Sequence, residues 1–481
     1  MKIKLLAMLL ALLVCLLPLS ACKGKGRGDE TRETIELDTS DGYDYGSLDY
    51  KGEGFTFLQC DENRWGMKTA LAPEAGETGD EVSDAVYSRN VKVETLYNVV
   101  IKCINRDIYE TGEYVRTQCF GGDSTVDAAY VVGSSVATLI GEGLLNDFSE
   151  MNEVQIYEPW WGQKIREASQ FGGSSTLYYA QSDISVTAFE LTWCVAVNLD
   201  RISTLDMENP YELVRGKQWT MEKMFEMAED GMQSNTDGSY TYSEDTDCIL
   251  GFVTYNNYAA AGLNGAGCFL TQKDDIGNPT FTGEGQKFLD VVERYATAFH
   301  TPGKLVHAQE EGFHYEDIFA AKRSLFAGIE IKATSAFRAA GIHYGILPVP
   351  MYDDKQETYY SNVNYLAPLL VIPNTNKAGE ATGRILDTMA YLSYKDLLPV
   401  YYDSSLSYKS LGTPDSVEML NIIRDTRCFE TGLLYGWTTD FYVEVRYIFV
   451  GLTPGTSASA AIGSYREPII QELNDFITKL K

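Results

Sequence analysis

Residues Tyr344–Pro373 read YGILPVPMYDDKQETYYSNVNYLAPLLVIP, and the fold turns on how this stretch is laid out. Tyr344 to Leu347 is a short apolar run closed by Pro348 and Pro350. Proline has no N–H to give to a central ladder, so the run ends there. Asp353, Asp354 and Lys355 supply a polar turn, and a second apolar run, Leu366 to Ile372, stops at Pro373. Taken alone, two β-type runs about a polar turn predict a hairpin.

Working outward, the rest of the chain alternates strands with helices. Gly54 to Cys60 alternates as a strand, and Asp61 to Gly79 is a long loop carrying Trp65 and Glu77. Asp80 to Asn98 is a helix, with Asp80, Glu81 and Asp84 where the dipole favours acids. Val99 to Ile104 is the next strand. This order is a βαβ unit, so the sheet is at least partly parallel. Val126 to Val132 is an apolar strand ending at Gly133-Ser134-Ser135. Ligands of open α/β sheets sit outside the carboxyl ends of strands, which makes Ser134 and Ser135 candidate contacts; the alternative is that a serine caps the following helix. Leu191 to Leu199 and Ile249 to Val253 are further strands. The second is followed by Tyr255, Asn256, Asn257 and Tyr258, aromatics beside amides, a pairing that suits a sugar ring and its hydroxyls. Thr220 reads as an N-cap, and Met221, Met224, Phe225 and Ala228 behind it form a helical stripe that belongs to a core. Helices are also predicted over Phe288–Phe299, Tyr315–Lys322, Thr382–Tyr394, Pro414–Arg424 and Glu467–Lys479. Phe429 to Trp437 is less regular.

The start of the chain is of a different kind. Lys2 and Lys4 precede an apolar run, Leu5 to Leu17, too short to span a bilayer comfortably, and Leu19-Ser20-Ala21-Cys22 follows. This resembles a bacterial lipobox, which implies that residues 1–21 are a cleaved signal and that Cys22 is acylated, with palmitate for instance. Loss of Lys2 and Lys4 would take the net charge from −29 to −31. Residues 22–50 are Gly-rich and then acidic, and are expected to be a disordered tether of about 30 Å. So acidic a chain repels phosphate backbones, which argues against nucleic acid. Cys60, Cys103, Cys119, Cys194, Cys248, Cys268 and Cys428 are odd in number and lie mostly in apolar runs, as buried free thiols do. No metal site and no cofactor is expected: there are four His and no ligand spacing, and the polar loop Thr236–Asp247 lacks the EF-hand pattern. There is also no Walker A, G-x-S-x-G or H-E-x-x-H.

Several segments, in order, resemble family 1 extracellular solute-binding proteins of sugar ABC importers, the maltose-binding-protein-like type. They are Gly79–Ile101, the Gly141–Phe148 element, Asn209–Met227, Leu325–Glu330, and Tyr344-Gly345-Ile346-Leu347-Pro348-Val349-Pro350 with Gln356 and Tyr359. The resemblance covers most of the chain beyond about residue 50. It implies an α/β, two-lobed, type II periplasmic-binding-protein-like fold, with mixed sheets flanked by helices and a ligand cleft at the interlobe hinge. Lobe 1 would be 51–184 plus 361–412, and lobe 2 would be 185–360 plus 413–481. The opening stretch is then no hairpin: its first run ends a sheet in one lobe and its second begins in the other.

The implied function is capture of a carbohydrate, an oligosaccharide, and delivery to ABC permease subunits by a monomer. That monomer would not be an enzyme, and lipid on Cys22 would hold it at the outer face of the cell membrane. Trp65, Trp437, Tyr255 and Tyr258 would stack on sugar rings. Asp61, Glu77, Asp183, Asn256, Glu330 and Asp440 would bond hydroxyls, although Glu330 has Lys332 nearby as an alternative partner. The rival readings are a surface carbohydrate-active hydrolase and a binder of a non-sugar solute.

Overall fold

The structure, a computed structural model, describes residues 42–60, 69–72, 80–308, 314–405, 414–453 and 455–480. Cys22, Asp61, Trp65 and Glu77 lie outside them. Two units are distinguished, Met1–Asp44 and Tyr45–Lys481, and the sheets all belong to the second.

The two runs of Tyr344–Pro373 do not pair. Thirteen strands are described: β1 (Gly54–Cys60), β2 (Val100–Arg106), β3 (Ala128–Val132), β4 (Trp193–Asn198), β5 (Leu250–Thr254), β6 (Thr271–Lys273), β7 (Pro279–Phe281), β8 (Leu305–His307), β9 (Ser324–Glu330), β10 (Tyr344–Leu347), β11 (Ser361–Asn362), β12 (Pro368–Val371) and β13 (Arg427–Cys428). The first sheet has the order β12-β3-β1-β2 and the second β10-β4-β9-β5-β8. The run before the prolines is thus β10, an edge strand of the second sheet, and the run after the turn is β12, an edge strand of the first. Both sheets are mixed. β1 is parallel to β2 and β3 while β12 runs against β3; β5 is parallel to β8 and β9 while β4 runs against β9. This is the two-lobed α/β architecture with the chain crossing between lobes.

The prolines stop the ladder, and a tryptophan takes up the freed chain. The Trp219 indole donates to the Pro348 carbonyl at 2.8 Å, and Trp219 and Met221 exchange backbone bonds with Met351. Trp219 is fully buried, so its one N–H needs such a partner.

The main helices flank the sheets: α1 (Glu81–Tyr97), α2 (Thr111–Gly121), α3 (Gly133–Gly141), α4 (Met221–Gly231), α5 (Gln286–His300), α6 (Gly379–Leu392), α7 (Thr439–Phe449) and α8 (Ala458–Leu480), with shorter helices between. Asp80 and Thr220 cap α1 and α4, accepting from Ser83 N and Lys223 N. No serine caps α3, whose N-cap is Val132. The last helix is longer than predicted. It begins at Ala458 and runs through Pro468, which is exposed, so the carbonyl that loses its helical donor can turn to water.

The expected tether is also shorter than the reading over residues 22–50. The Tyr45 ring meets Tyr391 edge-on at 6.1 Å, its carbonyl accepts from the Tyr97 hydroxyl, and Tyr50 N donates to Tyr97 O. Tyrosines in a polar stretch find the apolar surface of α1 and α6, and this outweighs the local composition.

The chain passes from the first sheet to the second between β3 and β4 and returns between β10 and β12. Thr192 and Val363 form a β-bridge, and Asn364 N donates to Leu191 O. Beside them β11 pairs in parallel with β13. Past β13, Glu430 is fully buried and accepts from Leu270 N, Thr271 N and Gly432 N, which ties the β6–β7 hairpin to the segment after β13. Burial pushes the Glu430 carboxyl pKa up, and these donors work against that shift.

Candidate functional site

Both crossings meet the sheets at one edge. β9 ends at Glu330 opposite the start of β4 at Trp193, and β3 ends at Val132 opposite the start of β12 at Pro368. The carboxyl ends of β3, β5 and β9 therefore lie at the crossings, where an open α/β sheet takes its ligand.

From the second sheet, the chain leaving β5 carries Tyr255, Asn256 and Asn257, all half-buried. The Tyr255 ring stacks on Tyr315 at 5.2 Å and tilts against Trp193 at 5.4 Å. Burial, with the Glu330 charge added, raises its hydroxyl pKa well above the usual value, so it stays a neutral donor at physiological pH. Glu330 is buried at 2% exposure and does not hang free: Lys332 Nζ lies 2.9 Å away and Asn364 Nδ2 donates to it at 2.8 Å. Asn364 belongs to a crossing, so this bond links the end of β9 to the hinge. Glu316 accepts from the Tyr315 hydroxyl, and burial raises the Glu316 pKa.

A further wall comes from α7. Tyr442 and Arg446, one turn apart, share a face. The Tyr442 hydroxyl donates to Asn257 O at 3.2 Å, and Arg446 Nη1 donates to Asn257 Oδ1 at 2.9 Å. Tyr365, on the crossing, meets Tyr442 edge-on at 6.4 Å. From the first sheet, Gly133 lies so close to the Tyr365 carbonyl that a Cβ there would stand 2.3 Å from it. Tyr109, just after β2, is 51% exposed and close enough to Tyr365 to help raise its hydroxyl pKa, after burial and against the Arg446 charge.

Of the predicted contacts, the structure brings Tyr255, Asn256 and Glu330 together here. Ser134 is exposed on the first turn of α3 nearby. The others go elsewhere. Ser135 packs on Gly112 of α2, where an added Cβ would meet its side chain at 2.4 Å. Asp183 is buried and pairs with Arg424 at 3.7 Å. Tyr258 opens the helix after β5, so its ring turns inward between Trp193, Phe252 and Tyr295 and is fully buried. Trp437 stacks on Tyr435 at 4.7 Å, with Phe171 and Phe476 around it. It lines a groove of about 850 Å³ reaching from Ala137 and Ile140 of α3 to Glu472 of α8, in which none of the strand-end residues takes part. Asp440 is exposed beside α8, where its charge helps raise the Glu472 pKa.

Sequence reasoning missed Asn257 as a positioned amide, Tyr365, Tyr442 and Arg446. The signal available was Tyr442 and Arg446 spaced four apart in a helix otherwise apolar at Phe441, Val445 and Ile448. The seven cysteines among the described residues are all free thiols; Cys60, for one, has its pKa pushed up to about 12 by burial. Among the described residues no group of three His, Cys, Asp or Glu could hold a metal ion, and no helix is long and apolar enough to cross a membrane.

No family model matches the chain, and none of the curated proteins does. Solved structures do match. An ABC substrate-binding protein of Listeria monocytogenes, in complex with cycloalternan, superposes with a TM-score of 0.58 at 12% identity, covering 88% of this chain and 99% of that one. The GacH receptor of Streptomyces glaucescens, solved unliganded and with acarbose, gives 0.56 at 13%, covering 87% and 98%. A sugar transporter of Rhizobium etli in an open conformation gives 0.58 at 13%, covering 86% and 98%. At such identities the likeness is one of fold: the chain is similar to type II periplasmic binding proteins over 86–88% of its length.

Proposed function

We propose that the chain captures a carbohydrate, an oligosaccharide, at the carboxyl ends of its two sheets and hands it to the permease of an ABC importer. The observation that carries this is the meeting of Tyr255, Asn256, Glu330, Tyr365 and Arg446 at the crossings. An aromatic face, amides and fixed charges stand where the two lobes join, and such a set suits rings and hydroxyls. The cycloalternan and acarbose complexes of the same fold support an oligosaccharide. A ligand touching both lobes would favour the closed form by its differential affinity, and the closed form is what a permease would recognise. Nothing in this role calls for turnover. Acyl chains on Cys22 would keep the protein at the outer face of the membrane.

Thermal unfolding of the whole purified protein against mono- and oligosaccharides tests the reading, with amino acids, peptides and polyamines as controls. A sugar at 100 times its dissociation constant is expected to add about 2.7 kcal/mol and raise the melting temperature. The same sugar should be recovered intact; cleaved product would instead show a hydrolase. No shift with any sugar would sink carbohydrate capture. For the anchor, the wild-type protein is expected to partition into detergent and Cys22→Ser into water; equal partitioning removes the lipid from the account.

A further inference from the structure

We infer that the captured ligand carries a carboxylate, held by the guanidinium of Arg446; this rests on the capture reading above and narrows it to acidic sugars. The argument begins with charge. At the end of β9, Glu330 has an opposite partner, Lys332, 2.9 Å away. Arg446 has none among the described residues. Its Nη1 donates to the Asn257 amide oxygen, a neutral partner, and its Nε is sealed from water without any acceptor. No carboxylate among the described residues forms an ion pair with it.

The chain does not lack carboxylates to pair it with, since acids outnumber bases and the net charge is −29. A half-buried guanidinium without a counter-charge carries a desolvation cost, and an anion brought by a ligand would offset it. The site is also held for the purpose. Asn257 is fixed from its other side by the Tyr442 hydroxyl, and the Arg446 guanidinium carbon lies 5.2 Å from the centre of the Tyr447 ring and 5.9 Å from that of Tyr442. A hydroxyl of a neutral sugar could take one N–H of Arg446 but would leave its charge unmatched. A planar carboxylate matches both the charge and the fork of donors. Sulfate and phosphate esters share the charge but not the planar geometry.

The test is calorimetric titration of the whole protein with uronate-containing oligosaccharides. Each is run beside its counterpart with the carboxyl reduced to the alcohol, with sugar sulfates and phosphates as a third arm. At least one uronate oligosaccharide is expected to bind about tenfold or more tightly than its reduced counterpart. Arg446→Gln is expected to abolish that difference, and Arg446→Lys to keep part of it. Reduced oligosaccharides binding as well as the uronates would overturn the inference and leave sugar capture standing. Binding of sulfated or phosphorylated sugars alone would overturn the carboxylate. Binding of no sugar of any kind would overturn capture itself. The wild-type comparison decides these outcomes even where a variant fails to fold.

Discussion

Asp387→Ala is expected to lower the stability of the fold by about 3–5 kcal/mol, seen as a matching fall in the urea midpoint with unchanged slope. Asp387 is fully buried on α6. Its Oδ1 accepts from both indoles of Trp160 and Trp161, at 3.1 and 2.8 Å, and from Gln155 N at 2.9 Å. Alanine leaves two indole N–H groups and a backbone N–H without this acceptor, that of Trp161 buried and those of Trp160 and Gln155 half-buried, and a buried orphan of this kind costs about 1–3 kcal/mol. Asp387→Asn separates acceptor from charge. Its amide oxygen can still take both indoles, so a loss of only about 1 kcal/mol is expected. The consequence reaches the hinge, because Trp161 is bridged to Ser182 at the entrance to the first crossing. An alanine variant as resistant to urea as the wild type would show that the two tryptophans are held by packing alone.

Asp387 also shows what could and could not be read from the chain. The strands were legible because they are apolar runs ended by proline, glycine or a polar turn, and the placement of Tyr344–Leu347 and Leu366–Ile372 in different sheets holds in the structure. What sets the site is partnership between distant residues. Asp183 finds Arg424, and Trp160 finds Asp387, across more than 200 positions, and no local pattern announces either. Tyr258 lies buried for a narrower reason. The chain turns helical at that residue, which reverses the side on which its ring falls, and strand-end reasoning cannot see the turn. Trp437 was assigned by the resemblance, and its stacking on Tyr435 shows that an aromatic beside other aromatics is as readily packed as presented. Arg446 was passed over because its helix reads as a core helix; only the bond to Asn257, nearly 200 residues away, turns it toward the crossings.

The end of β3 gives the sharpest link from fold to function, and the residue that matters there is Gly133 rather than the serines after it. Gly133→Ala would place a methyl 2.3 Å from the Tyr365 carbonyl and 2.7 Å from Leu434 Cδ1, so the crossing segment must move. A carbonyl of the main chain cannot swing aside as a long side chain can, and overpacking of this kind costs about 1–3 kcal/mol. The displaced segment carries Asn364, which bonds Glu330, and Tyr365, which faces Tyr442. The strain therefore falls on the joint between the lobes. If about 1.4 kcal/mol of it bears on the ligand-bound form alone, affinity for the sugar drops tenfold. Ser134→Ala, one residue on and exposed, is expected to stay within about 0.5 kcal/mol of the wild type in stability. Titration of the three proteins with the same sugar settles the matter. Gly133→Ala binding as tightly as the wild type would mean that the end of β3 is a plain strand–helix turn, and that the first sheet meets the ligand elsewhere.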